Sequence, residues 1–134
     1  MAIHWDNIRN FKCSEFDDPN FPGSGNFISY DILQSIIKLR ELTGWPINIV
    51  SAVDVLGQNH APNSLHNKAN GCRAIDFWFK CDVPHNKQLE VILWSDSFGG
   101  IGWYPEWHNP GFHVDNREEF LLWKRTGKDY IYLP

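Results

Sequence analysis

The chain has 134 residues, with 12 Lys and Arg against 16 Asp and Glu, and a formal net charge of −4. Its cations are scattered, so the sequence offers no basic surface and we expect no nucleic-acid partner. Apolar residues make up 43% of the chain, which is enough for a folded core. The length fits one domain covering residues 1–134.

No stretch of the sequence approaches the roughly 20 apolar residues that cross a bilayer. The N-terminus, Met1-Ala2-Ile3-His4-Trp5-Asp6, has neither the basic start nor the apolar core of a secretory signal. We therefore expect a protein that is soluble and cytoplasmic as synthesised, without membrane insertion. A monomer is a separate expectation.

The first 28 residues are rich in turn-forming side chains, with Asp17-Asp18-Pro19-Asn20 followed by Pro22-Gly23-Ser24-Gly25-Asn26. This composition predicts irregular structure. We expect residues 1–28 to form an arm that isolated aromatic side chains fasten to the rest of the domain; these are Phe11, Phe16, Phe21 and Phe27.

A helix is predicted next. Ser29 or Asp31 can cap its start, apolar residues follow at helical spacing, and Gly44 ends it. The alternation in Ile47-Asn48-Ile49-Val50 then predicts a short strand. Residues 52–73 form a long polar loop, and a loop of this length is usually functional or disordered. Its contents favour a function.

The second half of the chain predicts further strands around one short helix. The helix covers Gln88–Trp94, and a turn at Phe98-Gly99-Gly100 leads into residues 101–104. The predicted strands are Ala74–Phe79, Gly111–Asp115 and an edge strand at Tyr130–Leu133. Together these elements predict an α+β fold, a small antiparallel sheet with a few helices packed on one face.

Two of these strands place a metal-competent side chain opposite an apolar face. Asp76 points away from the face that Ile75 and Phe77 share, and His113 likewise lies opposite its apolar neighbours. His66, on the loop before the first of these strands, can supply a third ligand. Two His and one carboxylate would bind zinc and leave one position open for water. The simpler alternative is a solvated loop histidine and a capping aspartate.

The residues around these side chains resemble a known family. Ser64-Leu65-His66 and Gly71-Cys72-Arg73-Ala74-Ile75-Asp76 are similar to the Ser-x-His…Gly-x-Ala-x-Asp signature of the D-alanyl-D-alanine carboxypeptidase and L-alanyl-D-glutamate endopeptidase family of zinc peptidases. Phe98-Gly99-Gly100-Ile101-Gly102-Trp103-Tyr104-Pro105 and Gly111-Phe112-His113-Val114-Asp115-Asn116-Arg117 resemble its closing motif. Asn10-Phe11-Lys12-Cys13-Ser14-Glu15-Phe16 is similar to its opening, so the resemblance covers nearly the whole chain.

The resemblance implies a hedgehog/DD-peptidase-like fold with Zn²⁺ in a cleft on the sheet face away from the helices. It implies that His66, Asp76 and His113 bind the zinc. The implied activity is that of a metallopeptidase, a carboxypeptidase or endopeptidase, with peptidoglycan peptides as its substrate. Many such chains come from phages or prophages, so this one would act on the cell wall once released or carried by a phage particle.

The sequence departs from the family pattern in two places. Nine residues, 67 to 75, lie between His66 and Asp76, where the family usually has six. The family's Ser-Gly-Tyr-Arg segment, whose Arg helps to hold substrate, reads Ser51-Ala52-Val53-Asp54 here. Arg73 or Arg117 could replace that Arg, and a surface ion pair is the alternative for either.

The general base is also displaced, because Pro110 stands where many family members carry Asp or Glu. Glu106, His108 and Asp115 are the predicted catalytic candidates. The alternatives are an ordinary loop position for Glu106 and His108, and for Asp115 a role in orienting a metal ligand.

Four further residues are predicted to bind substrate: His60, Arg73, Trp78 and Trp103, with core packing as the alternative for the two Trp residues. The three cysteines lack zinc-finger spacing and are expected to be buried thiols, with Cys72 inside the metal motif. The alternative function is a catalytically impaired, zinc-containing cell-wall-binding module or a phage structural component.

Overall fold

The computed structural model describes residues 2–133 and confirms the α+β class. Its two helices and six strands alternate with loops and short 3₁₀ turns. In chain order they are α1 (Tyr30–Thr43), β1 (Ile47–Ser51), β2 (Ala74–Phe79), α2 (His85–Ser95), β3 (Gly100–Tyr104), β4 (Gly111–Asp115), β5 (Leu121–Thr126) and β6 (Asp129–Leu133).

The strands form one sheet in the order β1-β2-β4-β3-β5-β6. Every neighbouring pair is antiparallel except β3 and β5, which are parallel. The sheet is therefore mixed, and the prediction of an antiparallel sheet is wrong at this pair. β4 ends beside the start of β3, where Asp115 pairs with Gly100. The chain then crosses over that end and places Leu121 beside Gly100, so β5 must run in the direction of β3.

Helix α1 follows the predicted boundaries. Ser29 is its N-cap, and it ends at Gly44, whose φ of 69° is left-handed and favours glycine. Helix α2 begins at His85, three residues before the predicted Gln88, because Pro84 stands at the N-cap and its carbonyl accepts the first helical hydrogen bonds. Neither of these helices is long and apolar enough to cross a membrane, within residues 2–133.

The hydrophobic core lies on one face of the sheet. Ile75 of β2, Val114 of β4, Ile101 of β3 and Leu122 of β5 stand directly opposite one another across the four strands, and all are buried. The apolar stripe of α1 and the buried residues of α2 belong to the same core cluster. The side chains next to these along each strand point to the other face, which is where the predicted metal ligands lie.

The N-terminal arm contains three 3₁₀ turns, at Trp5–Asn7, Cys13–Phe16 and Ser24–Phe27. Phe11 and Phe16 are buried in the core, as expected, whereas Phe21 and Phe27 are exposed. The arm also contacts the loop after β1. Val53 donates its backbone N–H to the Phe16 carbonyl (3.1 Å), and Val55 donates to the Asp18 carboxylate (3.0 Å). The arm therefore holds the loop that carries two of the site histidines.

A first prediction concerns Gly99, where the crossover passes. A β-carbon at this position would collide with the backbone carbonyl of Arg117, and a backbone neighbour cannot swing away. We expect Gly99→Ala to lower the free energy of unfolding by about 1–3 kcal/mol, measured by urea denaturation. Leu56→Ala, at an exposed position, should change it by less than about 0.5 kcal/mol. Equal stability of the two variants would contradict this account of the crossover.

Candidate metal centre

One row of residues crosses the sheet and organises the site. The register places Ser51 opposite Asp76, Asp76 opposite His113, and His113 opposite Gly102. The row continues from Gly102 through Trp123 to Tyr132. Side chains that stand directly opposite in neighbouring strands have β-carbons about 4.5–5.5 Å apart. Asp76 and His113 are therefore in contact because of strand pairing alone.

Glycine in β3 leaves room over this row. A β-carbon at Gly102 would lie 2.7 Å from the rings of Trp123 and Tyr104, so only glycine lets these rings lie over the strand. The Trp123 ring packs 5.2 Å from that of His113, and its Nε1–H donates to the Tyr104 hydroxyl at 3.2 Å. The aromatic side chains thus form one wall beside the predicted ligands.

The long loop after β1 is ordered by the buried side chain of Asp54. Its carboxylate accepts the backbone N–H groups of Gly57 (2.9 Å) and Asn59 (3.0 Å) and the Nδ1–H of His60 (2.8 Å). The backbone N–H of Asp54 donates to the His66 carbonyl at 3.2 Å. A residue within this loop therefore fixes both His60 and His66 over the sheet.

Three imidazoles lie near Asp76, and each has one ring nitrogen held by an acceptor. His66 donates Nδ1–H to the Ala52 carbonyl (2.9 Å). His60 donates Nδ1–H to Asp54, and His113 donates Nε2–H to Asp115 (both 2.8 Å). Such partners fix the tautomer and orientation of metal-binding histidines. The other ring nitrogens of His66 and His113 lie against Asp76, whereas that of His60 lies 3.4 Å from the Ser51 hydroxyl.

Two of the three distances among the predicted ligands are short, and both involve Asp76. Asp76 Oδ1 is 3.2 Å from His66 Nε2 and 2.9 Å from His113 Nδ1. Two ligand atoms of a tetrahedral zinc ion are about 3.4 Å apart, so the first distance is close to this value and the second is somewhat shorter. Within residues 2–133, the group whose ligand atoms all lie within 4.8 Å of one another consists of His60, His66 and Asp76, so this group could hold a metal ion; the predicted ligand His113 is not part of it.

His60 differs from the other two histidines in the direction of its ring. The His60 and His66 rings are stacked, with centroids 4.1 Å apart and planes at 16°. A histidine nitrogen binds metal along the plane of its ring, so two stacked rings direct their lone pairs side by side rather than to one point. The His66 and His113 rings are inclined at 72° and can converge. The ring directions therefore favour the predicted set of His66, Asp76 and His113 as the ligands, with His60 beside them.

The charges of the site support one another. Burial alone would raise the pKa of Asp76, but the charge of His66 and hydrogen bonds from both His113 and His66 hold it well below its usual range. Burial would lower the pKa of His113, but its hydrogen bonds to Asp115 and Asp76 outweigh burial and raise the pKa to about 9. Hydrogen bonds from His113 and Arg117 likewise keep the pKa of buried Asp115 low.

His66, Asp76 and His113 line an open cleft of about 550 Å³. The loop after β1 forms one side and β5 and β6 the other. Its lining residues are His60, Ala61, Asn63, Ser64, Leu65, His66, Asp76, Tyr104, His113, Arg117, Leu121, Trp123, Tyr130 and Tyr132. Apolar walls around a few convergent polar groups are typical of ligand-binding sites.

Of the predicted catalytic residues, only Asp115 contacts the centre. Asp115 is fully buried and binds His113 and Arg117, the contacts of a residue that orients a ligand. Glu106 is exposed and accepts the backbone N–H of Gly127 (3.0 Å), and His108 lies in an exposed turn. Neither of these two lines the cleft.

Of the four residues predicted to bind substrate, His60 alone lines the cleft. Arg73 donates its Nε–H to Asn116 (2.7 Å) outside it. Trp103 points to the core face and donates to His85 (2.6 Å). Trp78 shares the face of Asp76 but lies near Lys80, at the far end of the strand.

Sequence reasoning missed several residues of the site. Strand β5, which brings Trp123 to the cleft, was not predicted, although Gly127-Lys128 between the apolar runs of β5 and β6 is a hairpin signal. Asp54 carried no signal beyond its place in a polar loop. Cys72, inside the metal motif, is buried and faces the core; burial raises its pKa to about 11, so it remains a thiol.

Comparison with known proteins gave no match: no family model matches the chain, and neither a curated protein nor a solved structure is significantly similar to it. The chemistry of the cleft therefore rests on its own geometry.

The raised pKa of His113 predicts a pH dependence for the metal-free protein. A histidine whose pKa rises from 6.5 to about 9 on folding contributes stability that is complete below pH 6.5. That stability is lost as the pH rises through 9. We expect the free energy of unfolding, measured in chelator, to fall over this interval. His113→Gln should remove the fall. A flat profile for the unsubstituted protein would show that His113 is not held as a cation.

Proposed function

We propose that this protein is a zinc-dependent peptidase that hydrolyses an amide bond in peptidoglycan stem peptides. The observation that supports it is the convergence of oriented imidazoles on Asp76 in an open cleft. Nitrogen and carboxylate donors of this kind suit zinc. The substrate class rests on the two sequence motifs that surround the ligands.

His66, Asp76 and His113 would hold the ion, with the Ala52 carbonyl and Asp115 fixing the two rings. Bound zinc supplies a Lewis acid and lowers the pKa of a coordinated water to about 7. Three protein ligands leave a coordination position open, and the cleft gives a peptide access to it.

His60 is the side chain best placed to accept the proton released during hydrolysis. Asp54 holds its Nδ1–H at 2.8 Å, which leaves Nε2 as the accepting atom. Stacking on His66 keeps this nitrogen beside the centre, and its nearest partner, the Ser51 hydroxyl, is 3.4 Å away. A carboxylate that orients an imidazole and stabilises its charged form is a recurring arrangement for a general base.

Metal content and activity should depend together on His113. We expect purified protein to contain about one zinc per chain and to release new amino groups from peptidoglycan. His113→Ala should abolish both, because the cation loses a ligand that Asp115 holds in place. Elemental analysis and an amine-release assay measure the two quantities. His4→Ala, in the N-terminal arm, is the matched control and should retain both. Cleavage that persists in His113→Ala would rule out the proposal.

We expect His60 to contribute to cleavage without being needed for zinc binding. We expect His60→Gln to keep zinc at one per chain while the rate of cleavage falls by about 10²- to 10⁴-fold, the usual contribution of a general base. Asp54→Asn should lower the rate in the same direction, because the ring loses its orienting carboxylate. Loss of zinc from His60→Gln would instead make His60 a fourth ligand.

A second function, zinc binding without catalysis, is supported by two observations. His60 lies close enough to His66 and Asp76 to share a metal ion with them, and Pro110 stands where the family resemblance leads us to expect a catalytic Asp or Glu. If His60 turned into the centre, four protein ligands would close the site, and closed sites are structural. The protein would then be a zinc-stabilised cell-wall-binding module or a component of a phage particle. Zinc-loaded protein that binds peptidoglycan without releasing amines would support this function over the peptidase.

A further inference from the structure

Within residues 2–133, Arg117 is the one Lys or Arg side chain that lines the cleft. Arg117 follows β4, two residues after Asp115, and its side chain is about one-third exposed. The proposed hydrolysis gives this guanidinium no task, because it contacts none of the three predicted ligands directly. It reaches them through Asp115, whose Oδ2 accepts from both Arg117 and His113.

The structure fixes the guanidinium on two sides. Its Nε–H and one Nη2–H donate to the two oxygens of Asp115, at 2.8 and 2.6 Å. Its central carbon lies 5.0 Å from the Trp123 ring, within the range of a cation–π contact. A β-carbon at Gly100 would lie 2.6 Å from Nε and would also collide with Asp115, so the cradle requires glycine there.

One edge of this guanidinium has no assigned partner. An arginine has five N–H donors in a planar fork, and Asp115 occupies the side formed by Nε and Nη2. No hydrogen bond from Nη1 is found within residues 2–133. The two nitrogens at the outer end of the fork have the spacing that a carboxylate matches with two parallel hydrogen bonds.

We propose that the outer edge of Arg117 binds a carboxylate of the peptide substrate, next to the scissile amide. This inference rests on the proposed peptidase function and extends it to the substrate. Only the Asp115 carboxylate and the His113 imidazole lie between Arg117 and Asp76 in this chain of hydrogen bonds. Arg117 is therefore close to the proposed zinc position, and the carboxylate that it binds would belong to a residue next to the cleaved bond. A substrate without a carboxylate there would leave the outer N–H groups of Arg117 without an acceptor from the peptide.

Arg73 provides a matched comparison, because it is also a partly buried arginine held by hydrogen bonds, to Asn116. The structure places it outside the cleft. The sequence offered both arginines as candidates for this task, and only Arg117 reaches the site.

The test compares peptides that differ in one carboxylate. The first pair is N-acetylated Lys-D-Ala-D-Ala as the free acid and as its C-terminal amide. The second pair is a C-amidated Ala-D-Glu peptide and its D-Gln counterpart. We expect zinc-loaded protein to bind or cleave the carboxylate member of one pair about 10- to 100-fold better than its amide. The pair that shows the preference identifies whether the carboxylate is terminal or on a side chain.

Arg117→Gln should remove this preference, and Arg117→Lys should retain only part of it, because an ammonium lacks the fork. Arg73→Gln should keep it. Loss of the Asp115 contact could weaken the site generally, but that effect would lower binding of acid and amide equally and leave their ratio unchanged.

Calorimetric binding of the same peptides keeps this test separate from turnover. A preference that survives Arg117→Gln, or none in the unsubstituted protein, overturns the inference while leaving hydrolysis intact. If the protein holds zinc and prefers the acid by calorimetry but releases no amines, the peptidase proposal fails and the carboxylate site stands.

Discussion

The pairing of β2 with β4 is the constraint on which the site depends. Its register sets Asp76 opposite His113 on the face away from the core. Because side chains alternate along a strand, a slip of β2 by one residue would turn Asp76 into the core and bring Ile75 or Phe77 to the cleft, and a slip of β4 would do the same to His113. The buried row of Ile75, Val114 and Ile101 opposes such a slip. The same apolar contacts that hold the sheet together therefore fix the ligand positions.

Two buried carboxylates extend this constraint to the outer parts of the site. A buried charge is costly unless it is paired. The carboxylates of Asp54 and Asp115 each accept several hydrogen bonds from neighbouring N–H groups. Asp54 ties the loop after β1 to His60, while Asp115 joins His113 to Arg117. Each carboxylate thereby orients a side chain that faces the cleft. The long loop can be polar and irregular and still hold its histidines in place.

The stacking of His60 on His66 gives the proposed site its open side. If His60 converged with His66 and His113 on the ion, these three imidazoles and Asp76 would complete a tetrahedral set. Because the His60 ring is instead stacked on that of His66, it lies beside the proposed ligands and leaves one position open. The aromatic side chains of β5 and β6 leave the opposite side accessible. The cleft is accordingly bounded by groups of different chemistry, a histidine pair on one side and Tyr130, Tyr132 and Trp123 on the other, with Arg117 beside the centre.

Local periodicity in the sequence determined α1, β1, β2 and β4 and the faces of Asp76 and His113, because alternation and capping are properties of short segments. His66 was predicted as a ligand from its place on the loop before β2 and from the resemblance of its motif. Only the tertiary structure decided the parallel pairing of β5 with β3, the approach of Trp123 over Gly102, and the choice of Arg117 over Arg73. These features depend on segments far apart in the chain, whose meeting is set by packing and crossover geometry that no local pattern records.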